Sequence, residues 1–421
     1  MLTHRIGLVL VVGAALTASS ASAQTTADIN SGLQFNFTPP GAKSLGLGGA
    51  FSGVADDATA VFANPAGLTS LSRPEASLEG RSSRYTNVFP SGGGEREISS
   101  TTNALAFGSV VFPVQDFSFA AYYHNAADFH PRFDAIEFNT ASGILVPRRI
   151  GSLDLELKSA GVAAAYRIAE SLSLGFAVTN FQYEVRSCTQ VNADRAANCV
   201  DRPGRDSATQ EFHGKENRWG GTAGLKWEAG DWSAGLVYRK LPKFELTTRY
   251  VDANENHTVH LAPAHFKVPD VLSAGAGFHP LPSLLVSFEY DRVWYSQLAE
   301  DLVKMAASGR ANYNSRNSDP SNFSISDGNE FHLGAEYRLA VATERALLFR
   351  LGAWREADHT LRYNGVDDAL AARFGTSKDR EDPVHGAGGL GLVLGKRFQI
   401  DVGVDYSTRL TSFALSSVAR F

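Results

Sequence analysis

Few residues in this chain have types and spacing that could do chemistry, and most of those have a structural explanation. Cys188 and Cys199 are its two cysteines and share one polar stretch. In an oxidising compartment such a pair is expected to form a disulfide that stiffens a loop, with metal binding as the lesser alternative. His257, His260 and His265 cluster loosely, but they lack acidic or cysteine partners at ligand spacing. Gly386-Ala387-Gly388-Gly389-Leu390-Gly391 fits GxGxxG, yet no helix pattern follows it, so the context of a dinucleotide site is missing. No Gly-x-Ser-x-Gly elbow occurs. No catalytic residue, metal or cofactor is therefore expected, and a hydrolase reading has no triad to rest on. Thirty-nine basic against 44 acidic residues leave a net charge of -5, which speaks against a nucleic-acid partner.

The elements that would position any site begin after residue 23. His4 and Arg5 precede an apolar run from Ile6 to Leu16, and Ala21-Ser22-Ala23 is an A-x-A cleavage signal, so residues 1–23 read as a secretory signal peptide cut before Gln24. The run is too short to span a bilayer, and no later run approaches about 20 apolar residues. An exported chain of this kind is either soluble or a membrane β-barrel, since only helices and closed barrels satisfy their backbone in lipid.

A two-residue period decides between those alternatives. Phe398, Ile400, Val402, Val404 and Tyr406 alternate with Gln399, Asp401, Gly403 and Asp405; Leu390, Leu392 and Leu394 alternate with Gly389, Gly391, Val393 and Gly395. Similar segments carry Phe331 to Leu339 and Leu284 to Tyr290. Trp219 with Trp227, and Trp232 with Tyr238, bracket apolar faces as interfacial girdles do. The opposite face carries charge and glycine, unlike the second apolar face of a sandwich core. Trp354 breaks the parity of Leu347, Phe349 and Leu351, which predicts a bulge or an inward tryptophan there.

About 14 strands can be counted, joined alternately by short links such as Arg167 to Leu172 and long ones such as Tyr85 to Ser100, His124 to Arg149 and Ser187 to Gly214. The last strand ends on Phe421, an aromatic terminus typical of barrels handled by the outer-membrane assembly machinery. The reading is all-β: an antiparallel transmembrane β-barrel over 73–421 in the bacterial outer membrane, in contact with its lipids and lipopolysaccharide.

Residues 24–72 do not alternate. They are rich in small residues, with Gly46, Gly48, Gly49 and Gly53, then a predicted short helix from Asp56 to Phe62 whose Asp56-Asp57 pair suits a helix N-terminus. Asn64-Pro65-Ala66-Gly67-Leu68 is expected to end it. A segment this short does not fold alone, so the barrel lumen is its natural place, as a hatch or plug.

The stretches Gly32-Leu33-Gln34-Phe35-Asn36, Ser44-Leu45-Gly46-Leu47-Gly48-Gly49-Ala50-Phe51, Ala55-Asp56-Asp57-Ala58 and Asn64-Pro65-Ala66-Gly67-Leu68 resemble the FadL-type outer-membrane transporters of long-chain fatty acids and other hydrophobic compounds. The resemblance implies 14 strands around an N-terminal hatch, with Asp56, Asp57, Asn64, Pro65 and Ala66 as its motif. It also implies capture at an extracellular groove, a pocket above the hatch, and lateral exit at an inward kink of the third strand. That strand would be about Phe117 to His124, which makes Phe119, Tyr122, Tyr123 and His124 candidate portal residues. The N-terminus helps close the pocket in such proteins, which makes Phe35 and Phe37 candidate ligand contacts. The mature chain starts further upstream than in relatives, at Gln24.

Two long links have helical periodicity: Leu298, Leu302 and Met305 share one face, and Val366, Leu370 and Phe374 are spaced i, i+4, i+8. They either line a groove for hydrophobic small molecules or pack on each other. Passive uptake by a monomer is the leading function; a barrel of the same fold acting as scaffold, adhesin or secretion-associated anchor is the alternative.

Overall fold

In the computed structural model, the described residues are 37–91, 94–130, 132–135, 138–139, 143, 145–146, 148–191, 208–251, 259–298, 322–359, 362–366 and 382–421. The signal peptide, Phe35, Cys199, Leu302, Met305, Leu370 and Phe374 lie outside them.

Fourteen antiparallel strands close into a barrel. They are β1 (Glu75–Ser91), β2 (Gly94–Val114), β3 (Phe117–Phe129, continued by Arg132–Ala135), β4 (Arg149–Ala169), β5 (Leu172–Val191), β6 (Ala208–Ala229) and β7 (Trp232–Lys240, then Lys243–Val251). The circle goes on through β8 (Val259–Lys267, then Val271–Leu281), β9 (Leu284–Val293), β10 (Gly328–Ala342), β11 (Arg345–Arg355), β12 (Val384–Leu394), β13 (Phe398–Tyr406) and β14 (Leu410–Arg420). β1 pairs with β14 from Glu75↔Arg420 to Tyr85↔Leu410, which leaves no sheet edge along this seam.

The alternation acts as expected of a lipid-facing wall. Leu390, Leu392, Phe398, Ile400, Phe413 and Leu415 are exposed, while Asp401, Asp405 and Ser416 between them are buried. Trp219 and Trp227 both face outward on β6. Their separation of eight residues is about 27 Å along the strand at ~3.4 Å per residue, or about 20 Å along the barrel axis at a tilt of ~40°, close to the height of an apolar band. Trp354 keeps continuous pairing with His385 and turns inward, so no bulge is needed.

Two features differ from the sequence reading. Several long links are largely strand, because hydrogen-bonded pairing continues past the apolar band: β1 and β2 stay paired as far as Ser91↔Gly94. The helix expected from Asp56 to Phe62 is only the turn Ala60–Ala63, since the Asp57 carboxylate accepts from the Thr59 amide and hydroxyl, at 2.8 and 2.5 Å, and makes a local turn instead.

Candidate functional site

The described part of the hatch fills the periplasmic half of the lumen. It holds α1 (Ala42–Gly46), α2 (Ala60–Ala63) and a 3-10 turn (Pro65–Ser70), all almost wholly buried. Asn64 is its most connected residue. Its side-chain NH₂ donates to the Ser52 and Leu225 carbonyls, each at 3.0 Å, and its Oδ1 accepts from the Ala66 amide at 3.1 Å. Pro65 can follow because the first residue of such a turn needs no amide donor.

The wall makes room with glycine. A Cβ on Gly175 would lie 2.3 Å from the Ala66 nitrogen, and one on Gly224 would lie 2.2 Å from Asn64 Oδ1, so the Asn64-Pro65-Ala66 turn sits where only glycine leaves space.

Inward polar side chains complete the anchoring. The Glu289 carboxylate accepts from the Phe51 and Ser52 amides at 2.6 and 2.7 Å, and Arg239 donates to the Ala63 carbonyl at 2.8 Å. Lys226 donates to the Ala55 carbonyl at 2.7 Å, and a His332 ring nitrogen lies 2.7 Å from the Gly48 carbonyl. At the β1–β14 seam, the Ala42 amide donates to Ser416 Oγ at 3.1 Å. These bonds satisfy the backbone groups of a segment that has little regular structure of its own.

Toward the periplasm the surroundings become polar. Lys43 pairs with Asp56 at 2.6 Å; burial works against the lysine charge, but Asp56, Glu336 and Asp57 outweigh it and hold its pKa above the usual lysine value. Burial raises the pKa of Asp57, against its bonds from Thr59. Asp56, Ser70, Arg73, Glu75, Lys396 and Arg420 line a recess of about 390 Å³ at this end.

Above the hatch the lumen is apolar. On β4 the inward residues change from Ala165, Ala163 and Gly161 to Leu157, Leu155 and Leu153; on β5 they change from Gly175 and Ala177 to Phe181, Tyr183 and Val185. Phe244, Phe266, Val268, Tyr295, Leu298 and Phe323 join them in one buried cluster. Small residues therefore face the hatch and large apolar ones face the space over it.

Between hatch and cluster lies a cavity of about 40 Å³, bounded by Phe62 below and by Phe37, Leu157, Phe181, Leu241 and Val268 above. Tyr122, His124, Ala126, Thr179 and Arg239 also line it. A dry cavity of about 150 Å³ is known to hold benzene, so side chains must move before a ring of that size enters.

The cavity borders two interruptions of the wall. β3 pairs with β2 only as far as Phe107↔His124, then a bulge at Ala126 carries it on against β4 alone. Four strands along the wall, β7 leaves β6 at Lys240↔Gly221 and rejoins it at Thr247↔His213, with Pro242 at the break. This second interruption is bridged: the Glu245 amide donates to Glu216 at 2.6 Å, and Arg218 pairs with Glu216 at 2.5 Å and with Glu245 at 3.5 Å.

The sequence-derived candidates separate cleanly. Phe37, Tyr122 and His124 line the cavity, whereas Phe119 and Tyr123 lie on the lipid face. Leu298 sits in a one-turn 3-10 helix (Tyr295–Leu298) inside the upper cluster, and Val366 is 90% exposed, away from it. Cys188 is disulfide-bonded on β5. Phe62, Leu157, Phe181 and Arg239 line the cavity as well and are not among those candidates; for Leu157 and Phe181 the signal in the sequence is a large residue on the inward parity of β4 and β5.

A family model described as outer membrane protein transport protein (OMPP1/FadL/TodX) matches residues 21–353. Among solved structures, the Ralstonia pickettii toluene transporter TbuX superposes with a TM-score of 0.60 at 16% identity, covering 92% of this chain and 99% of its own. The CymD monoaromatic hydrocarbon channel gives 0.58 at 15%, with 92% and 99% covered, and a Pseudomonas aeruginosa FadL homologue gives 0.59 at 13%, with 92% and 98% covered. At such identities the likeness is one of fold. No curated protein matches the sequence.

Proposed function

Since the chain belongs to the OMPP1/FadL/TodX family of outer-membrane transport proteins, we propose that it carries hydrophobic molecules, long-chain fatty acids or aromatic hydrocarbons, passively inward across the bacterial outer membrane. The observation that carries this reading is the apolar lumen above the hatch. A water-filled porin lines its bore with polar groups, whereas here Leu155, Leu157, Phe181, Phe244 and Phe266 face inward. A barrel serving only as scaffold, adhesin or secretion anchor has no use for such a lining.

Burial of each CH₂ of a solute is worth about 0.8 kcal/mol, enough to draw a chain or ring from water into this space. The way down meets the Lys43–Asp56 ion pair and a polar recess, which disfavour an apolar solute. Sideways, the separation of β2 and β3 beyond Phe107↔His124 adjoins both the cavity and the bilayer, so exit is lateral, with Tyr122 and His124 at its inner edge. Phe37 closes the chamber from above. Two of the fold relatives are named for toluene or monoaromatic hydrocarbons, which supports counting compact rings among the solutes.

The test is uptake of labelled oleate and of toluene by cells with and without the gene. A loss of either on deletion is expected; unchanged uptake across both solutes overturns the proposal.

A further inference from the structure

His332, which holds the hatch at the Gly48 carbonyl, belongs to a buried group of side chains whose arrangement exceeds what an anchor needs. Asp291 on β9 lies directly opposite Glu330 on β10, and His332 stands two residues further along β10. Ligand atoms of all three lie within 4.8 Å of one another, and all three residues are buried, at 5%, 4% and 2% exposure.

The imidazole is fixed before any ligand arrives. Its Nδ1 lies 2.7 Å from the Gly48 carbonyl, and a carbonyl only accepts, so Nδ1 carries the proton and donates it. Trp354 stacks on the ring with centroids 5.1 Å apart and planes 12° from parallel. A Cβ on Gly49 would come within 2.9 Å of Nδ1, so the hatch backbone approaches as closely as it can. The ring is left with Nε2 aimed at the two carboxylates, and that nitrogen has no hydrogen-bond partner among the described residues.

The same holds for Asp291 Oδ1. His332 Nε2 and Asp291 Oδ2 are 3.5 Å apart. That is too long for a charge-assisted hydrogen bond, which runs about 2.7–2.9 Å. It does match two ligands of one tetrahedral ion, since atoms each about 2.1 Å from the metal lie roughly 3.4 Å from each other. Glu330 is oriented for the same role: the Tyr295 hydroxyl and the Ala357 amide both donate to its Oε1, at 3.1 and 3.3 Å, which leaves Oε2 for the ion. A backbone carbonyl behind the imidazole and donors behind the carboxylate form the supporting shell expected around a bound metal.

We propose that Asp291, Glu330 and His332 bind one divalent cation of the zinc class at the junction of barrel wall and hatch. One imidazole nitrogen with two carboxylate oxygens suits a borderline ion such as Zn²⁺, with water in the fourth position, and disfavours Ca²⁺ and Mg²⁺, which prefer oxygen alone. By drawing on His332 Nε2 the ion strengthens the Nδ1–H donation to Gly48, so it tightens the hatch against β10.

A second cluster, Asp128, His130 and Glu156, is an internal control. There both ring nitrogens are engaged, with Asp128 at 2.8 Å and Asp154 at 2.9 Å, and the histidine is half exposed. It offers no free lone pair.

The test uses the full chain in detergent, stripped by a chelator, dialysed against Zn²⁺ and assayed for bound metal by mass spectrometry. The expected result is about one zinc per chain in wild type and in His130→Ala, falling about tenfold or more in His332→Ala and in Asp291→Asn. Zinc-edge X-ray absorption of the wild type should show imidazole scattering in a shell at about 2.0–2.1 Å. Wild-type protein that retains no zinc, binding unchanged in the folded His332 and Asp291 variants, or a shell without imidazole would each overturn the proposal. Should either variant fail to fold, the wild-type spectrum still decides.

Discussion

Phe107 and His124 are the last partners that β2 and β3 share, and their rings meet edge to face with centroids 6.1 Å apart. Beyond them β2 continues against β1 while β3 continues against β4, so this contact marks where the β2–β3 pairing ends.

The extra residue that turns β3 is Ala126, unpaired between Asn125↔Lys158 and Ala127↔Leu157. Deleting it removes the bulge and lets β3 run on beside β2. Uptake of toluene and oleate should fall by about tenfold or more while the barrel stays folded by circular dichroism, because bulges bend a strand without supplying much of its stability. Full uptake with the bulge removed would rule out lateral exit here.

Asn64 holds the hatch with three hydrogen bonds. Asn64→Ala strands the Ser52 carbonyl and the Ala66 amide, at about 1–3 kcal/mol for each buried group left unpaired, and removes the tie to the Leu225 carbonyl on β6. The hatch should loosen while the barrel remains closed, so planar-bilayer recordings should show openings rare in wild type. Removal of 25–68 should leave a pore that is permanently conducting; conductance no greater than wild type would count against a lumen plug.

Cavity size should govern which solutes pass. Leu157→Trp fills the space between Phe62 and the upper cluster, whereas Phe62→Ala enlarges it. A tenfold change in binding needs about 1.4 kcal/mol, the burial of only about two methylenes, so modest changes of volume suffice. Toluene binding measured calorimetrically should weaken about tenfold in the first variant, while the second should admit bulkier rings. Equal affinities in all three proteins would place the binding site elsewhere.

Phe421 tests assembly apart from stability. The residue is 74% exposed and its amide donates to the Pro74 carbonyl at 3.0 Å. Loss of this residue removes one hydrogen bond, about 0.5–1.5 kcal/mol, so purified protein should melt almost as wild type. If the assembly machinery reads the terminal aromatic, the amount in the outer membrane should drop severalfold; normal levels would remove that role.

Much of the barrel was legible because lipid selects one face of every strand. Phe398, Ile400 and Tyr406 declare β13 without help from other parts of the chain. The chamber was harder to read. Leu153, Leu155 and Leu157 lie on the inward parity of β4, where polar or small residues were expected, and their meaning depends on where the hatch ends. Val366 shows the limit of spacing: its period could be read, but not its distance from the lumen. Asp57 marks another limit, because a carboxylate before a helix pattern can cap the helix or close its own turn, and Thr59 decides for the turn. The Asp291, Glu330 and His332 group had no linear signature, since two strands and a register set it.

The bond from the Ala42 amide to Ser416 joins residues 374 positions apart, at the seam where the first strand meets the last. Gly41, beside Ala42, donates its amide to Glu79 on the first strand, so this part of the hatch is tied to both ends of the wall, and its second tie waits for the final strand. Contacts of such separation are slow to form because the loop they close is nearly the whole chain. Closure of the wall therefore also completes the fastening of the plug, and the two are finished by the same strand.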